Sequence, residues 1–302
     1  MRLRSSNPVL KRAMRSGQSP YGQGAPYQAG YQQPYGQTYP QQGYGHPQPG
    51  YAQPGYPQPG YGPQATSPAE RMSIDDVVVR TSMTLGLVVL TAVPTYFLAV
   101  AGNPLALGLA LLGVLGGLVL GLVIAFRQST NPALILTYGA LEGLFVGGLS
   151  GLLERSLMAQ NGAAMGSLVT QAVFGTLFAA GAVLAVYRFR IIRVTNTFIK
   201  VVAAATLGLL VLLLANFVAA LFMPGGFGLR EPSMLGLGIS LIAVTLAAAM
   251  LMIEFRAVED ALNMGLPRKF SWQLAFGLTV TLVWLYIEIL RLLWILKSLF
   301  SE

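Results

Sequence analysis

Seven apolar runs, each about 20 residues long, leave this chain little choice of architecture. They fall at about 81–101, 105–126, 133–153, 167–187, 199–222, 235–255 and 275–297. An α-helix rises about 1.5 Å per residue and satisfies its own backbone, so each run can cross roughly 30 Å of hydrocarbon as a helix. Charged residues make up only 10% of the chain, far below the roughly 25% of a soluble domain. The predicted fold is an all-α polytopic membrane protein, a seven-helix transmembrane domain over residues 71–302. Its partner is in the first place the lipid bilayer.

Residues 1–70 cannot build a core. Between Tyr21 and Tyr61 the chain repeats Gly, Tyr, Pro and Gln loosely, as in PGYAQPGYPQPGYGP. Such a stretch buries too little aliphatic surface to offset its ordering entropy, so a disordered tail is expected. It would serve as a tether or as a sticky aromatic segment that meets a protein partner. Its first residues carry Arg2, Arg4, Lys11, Arg12 and Arg15 and lead into polar sequence, not into the apolar core of a cleavable signal peptide. At about 1 kcal/mol per charge, that patch favours an anionic cytoplasmic leaflet. Beyond the tail, MSIDDVVVR reads as a short amphipathic lead-in, with Ser73 as N-cap and Asp75 and Asp76 in the first turn.

The net charge of +8 does not point to nucleic acid, because the basic residues segregate by loop. With the tail inside, the inner loops hold Arg71, Arg80, Arg127, Arg188, Arg190, Arg193, Lys200, Arg256, Arg268 and Lys269, while the outer side has Arg155, Arg230 and Lys297. The bias predicts a cytoplasmic N-terminus and, with an odd number of spans, an external C-terminus. No residue pattern fixes an oligomeric state.

Enzyme chemistry finds few tools here. There is no cysteine, and the one histidine, His46, lies in the tail, so no imidazole or thiolate is available to hold a metal in the membrane part. Ser150 in GGLSG lacks a histidine to activate it. A retinal protein needs a lysine midway along the last helix, whereas Lys297 is at its end. The expectation is a non-enzyme without a bound cofactor, calcium or protons being at most transported ions.

Three spans carry ionisable groups. Glu288 and Arg291 sit three residues apart on one helical face of the seventh, and Glu142 lies among glycines in the third. A charge near the bilayer centre costs about 2.5–3.5 kcal/mol, so these residues form either a structural ion pair or a working site. Counted from the inner edge, Glu142 lies about 13 Å deep, Glu288 about 18 Å and Arg291 about 22 Å, close enough for Glu142 to join the other two in a proton or cation site. Two carboxylates in one dry site resist ionising together, which would make the cluster respond to protons. The sixth span ends in a group of Glu254, Arg256, Glu259 and Asp260, readable as a solvated helix end or as a cation-attracting inner mouth. Trp272, Trp284 and Trp294 read as packing and interfacial anchors.

The seven spans, the pair Glu142-Gly143 and above all EFRAVEDALNMGLPRKFSWQLAFGLTVTLVWLYIEILRLLWIL resemble the Bax inhibitor-1 family, in its actinobacterial branch, over about residues 72–300. The resemblance implies a bundle with the last helix at its centre, a bacterial plasma membrane location, and a pH-sensitive calcium leak governed by an aspartate pair on helices six and seven. The family's sixth-helix pattern, an aromatic followed by Asp, falls on Phe255 and Arg256, with Glu254 two residues before the latter. The seventh-helix aspartate position falls on Thr281, and the arginine ten residues on is Arg291. The chain thus keeps the arginine and neither aspartate. Glu288, about two turns after Thr281, shares its face, so either Glu254 and Glu288 take over the pair's role or the proton latch is lost. Two functional expectations follow. One is a proton-sensitive cation leak channel; the other is a non-conducting adaptor of a membrane protease or envelope complex, acting through the tail.

Overall fold

The computed structural model describes residues 71–300, so the expectations for the tail lie outside the described residues. Seven helices follow in order: α1 (Ile74–Val100), α2 (Leu105–Arg127), α3 (Pro132–Asn161), α4 (Ser167–Arg188), α5 (Asn196–Ala220), α6 (Met234–Asn263) and α7 (Phe270–Phe300). All seven are long and apolar enough to span a membrane. The outward faces of α2 and α5 expose large side chains such as Leu115, Leu118, Leu207 and Leu210. Lipid acyl chains solvate such a face at no cost.

α7 is the axis of the bundle. It packs against α1, α3, α4 and α6, and 56% of its membrane window is buried, against 17% for α4 and α5. Leu285, Leu290 and Ile295 are wholly enclosed along it. α5 is peripheral and leans on α6.

α1 and α3 make the closest pairing, and the reason lies in a repeat of glycine every fourth residue on α3. Gly139, Gly143, Gly147 and Gly151 form one stripe facing α1. A Cβ on Gly143 would meet the Val88 carbonyl and the Thr91 hydroxyl, one on Gly147 the Ala92 carbonyl, and one on Gly151 would stand 2.7 Å from the Tyr96 carbonyl. Small residues let helices in lipid approach to backbone contact, where dispersion replaces a missing hydrophobic drive. On α2, Gly113 meets the Leu141 carbonyl of α3 in the same way, whereas Gly108 faces open space.

Helix bounds depart from the expected spans at the ends. The lead-in is not separate: it is the first two turns of α1, started by a capping box between Ser73 and Asp76. α3 runs eight residues beyond the expected 153, and α7 begins five residues before the expected 275. Both extensions are less apolar than the spans they continue, so hydropathy cut them off.

One end of the bundle is tied together by polar contacts. Met72 N–H donates to the Leu266 carbonyl at 2.9 Å, joining the chain before α1 to the α6–α7 turn. Asp76 holds Arg268 at 2.6 Å and lies 3.9 Å from Arg80. Arg80 also donates to the Arg268 carbonyl and the Ser271 hydroxyl, and its guanidinium lies 5.3 Å from the centre of the Trp272 ring. At the opposite end Arg155 packs over Gly102, whose φ of +72° suits glycine.

Candidate functional site

Glu142, Glu288 and Arg291, expected together, are separated by the fold. Glu288 is 2% exposed, with Arg291 Nη1 3.5 Å from its Oε2 and Arg230 Nη2 3.2 Å from its Oε1. Arg230 belongs to the loop between α5 and α6, which turns inward to reach α7. Burial pulls the Arg230 guanidinium below its ordinary pKa, while Glu288 acts in the opposite sense. One carboxylate is therefore clasped by two cations, one from its own helix and one from a loop.

Glu142 points elsewhere because of depth. Counted from the helix ends on the side of the Asp76–Arg268 contact, Glu142 lies about 15 Å along α3 and Glu288 about 27 Å along α7. Starting α7 at residue 270 widens the offset to about 12 Å, beyond side-chain reach. What lies level with Glu142 is Glu254, about 13 Å from the same-side end of α6, and Thr281, about 16 Å along α7.

These three line one cavity of about 550 Å³, walled by α2, α3, α6 and α7 and by Thr206 of α5. Glu254 is not part of the helix-end group with which its sequence position associates it. Its Oε2 stands 2.6 Å from where a Cβ of Gly277 would be, so the glycine makes room for the carboxylate against α7. Gly117 of α2 does the same for Glu142, whose Oε2 lies 3.3 Å from the corresponding point. Tyr138, one turn before Glu142, lines the cavity and packs edge-on against Phe276 at 5.0 Å. Among the described residues no lysine or arginine lines the cavity. Thr281, which the resemblance places at an aspartate position, also lines it.

The rest of the inner-end group ties α4 and its loop to α6. Arg256 lies 3.6 Å from Asp260 and donates to the Val194 carbonyl. Glu259 accepts from the Tyr187 hydroxyl, and Tyr187 stacks at a tilt on Phe255.

Two polar residues escaped the sequence reading. Glu154 is 1% exposed and accepts the Leu168 and Val169 backbone N–H groups at 3.1 and 3.2 Å, so it caps α4 from outside. The signal was a helix opening at Gly166 with no capping side chain of its own. Arg230 was assigned to the outer charges, and its single basic head in a glycine-rich loop carried no hint of a partner 58 residues away. Ser150, weighed as a nucleophile, has its hydroxyl 3.0 Å from that of Tyr286. Of the tryptophans, Trp272 lies under Arg80 and Trp284 lines the cavity.

Comparison with family models matches the chain to the family described as Bax inhibitor 1 like, over residues 7–298. The match begins well inside the tail, earlier than the resemblance drawn from the motifs, which started near residue 72. No individual curated protein matches.

Proposed function

The chain belongs to the Bax inhibitor 1 like family of membrane proteins, and we propose that it is a pH-sensitive cation leak pathway, calcium being the cation, that acts without enzymatic chemistry. One observation supports this reading above the others. Among the described residues two acids with no basic partner, Glu142 and Glu254, face a common cavity, while Glu288, farther along α7, is held by Arg230 and Arg291.

In this reading the cavity acids attract a cation from the inner side, and the Arg230–Glu288–Arg291 cluster closes the way out. Protons compete in this reading with the cation for the Glu142 and Glu254 carboxylates that share the cavity, so the leak depends on pH. The protein sits in a bacterial plasma membrane with its N-terminus in the cytoplasm. Thr281 stands where the family has an aspartate, and Glu254, level with it across Gly277, supplies the carboxylate from the neighbouring helix.

Reconstitution into liposomes with an entrapped calcium dye tests the reading. Flux that responds to pH supports it, and absence of flux at every pH removes it. A second reading, a non-conducting adaptor acting through the tail, draws on the family match reaching residue 7. Deleting residues 1–66 separates the two: the leak reading expects flux to persist, the adaptor reading expects the cellular phenotype to follow the tail with no flux in either form.

A further inference from the structure

The cavity that holds Glu142 and Glu254 opens sideways. Leu118 and Leu122 of α2 line it and are themselves 59% and 47% exposed on the lipid-facing surface. Across from them the rim is Thr206 of α5, and α2 and α5 make no extended contact with each other. Among the described residues the Glu254 carboxylate has neither a cation nor a hydrogen-bond donor. The Thr206 hydroxyl oxygen is buried and unpartnered.

We propose that this cavity binds a lipophilic organic cation that enters from the bilayer between α2 and α5. At about 550 Å³ the space is of the size that takes a small organic molecule. Its walls include leucine, valine and aromatic residues, and Phe276 and Trp284 among them are of the type that attracts a soft cation. The two carboxylates with no basic neighbour supply the charge complement. A divalent ion that has shed its water asks instead for six to eight oxygens at about 2.3–2.6 Å, which a mostly apolar wall does not provide as a resting site. The inference goes beyond the leak reading: it needs the cavity acids and the side opening, not a conducting path.

The test is equilibrium binding of radiolabelled tetraphenylphosphonium to the full chain in phosphatidylcholine nanodiscs. Saturable binding of one probe per chain is expected, weakened by about tenfold or more in the double variant Glu142→Gln with Glu254→Gln. Leu118→Trp, a change on the exposed rim, narrows the opening and is expected to slow the approach to saturation when the same binding is followed over time. A neutral tetraphenyl analogue should not compete. Absence of saturable binding, binding indifferent to the double variant, or equal competition by the neutral analogue overturns the proposal, the last outcome marking an acyl-chain pocket. Calcium binding and flux without probe binding would overturn this inference and leave the leak reading standing; probe binding without flux would do the reverse.

Discussion

Arg230 and Glu288, 58 residues apart in the chain, meet at 3.2 Å where a loop turns down onto the central helix. The contact gives Glu288 two cations, since Arg291 lies one turn along α7 on the same face. Redundancy of this kind decides what mutation should do.

Replacing Arg291 by Leu leaves Glu288 with Arg230, so the loss of stability should be modest. Replacing Glu288 by Leu strands two arginines, and about 3–5 kcal/mol is expected to be lost, as when one partner of a buried pair is removed. Adding Glu142→Leu to Arg291→Leu should give no rescue, because the two residues lie in separate clusters; their effects should add to within about 0.5 kcal/mol. Denaturant unfolding in mixed micelles measures all of these. A clear rescue would mean that Glu142 and Arg291 touch.

The glycine stripe predicts a position-dependent response. Gly147→Leu drives a side chain into the Ala92 carbonyl and should cost about 1–3 kcal/mol or prevent folding. Gly86→Ala and Gly108→Ala meet nothing within 4 Å and should be neutral or slightly stabilising, since alanine favours the helix over glycine by about 1 kcal/mol. Yield and melting temperature of detergent-purified variants make the comparison. Equal sensitivity at Gly108 and Gly147 would contradict the α1–α3 packing.

Much of this bundle was legible in the sequence, and the reason is physical. A span announces itself through twenty consecutive apolar residues, and the Ser73–Asp76 cap through residue types three apart. Pairing between spans was less legible. Glu142 was matched to Glu288 by depth counted from hydropathic edges, but helix ends are polar and extend past those edges. A five-residue error at the start of α7 is enough to move Glu288 out of reach. Glu254 looked like part of a helix-end charge group because its neighbours in sequence are charged. Its position against Gly277 depends on how α6 and α7 cross, which no local pattern encodes. Glu154 was invisible because its partners are backbone amides of another helix.

Topology has a direct check in a chain without cysteine. Single cysteines at Ala164 and Phe222 should react with an impermeant maleimide from outside intact cells, and one at Asn196 should react only after lysis. Position 222 suits the purpose because it lies just past the end of α5. The reverse labelling pattern would invert the charge-based orientation.

Division of labour between the two acidic clusters is the central claim, and calcium flux in proteoliposomes measured from pH 5 to 8 tests it most directly. Glu142→Gln and Glu254→Gln should each lower flux, because they remove charge that draws the cation in. Glu288→Gln and Arg230→Met should raise it, because each breaks the contact that holds the α5–α6 loop against α7. Changes of the same sign at both clusters, or a pH profile unaltered when Glu142 and Glu254 are both replaced by Gln, would contradict the assignment of attraction to the cavity and closure to the Arg230–Glu288 contact.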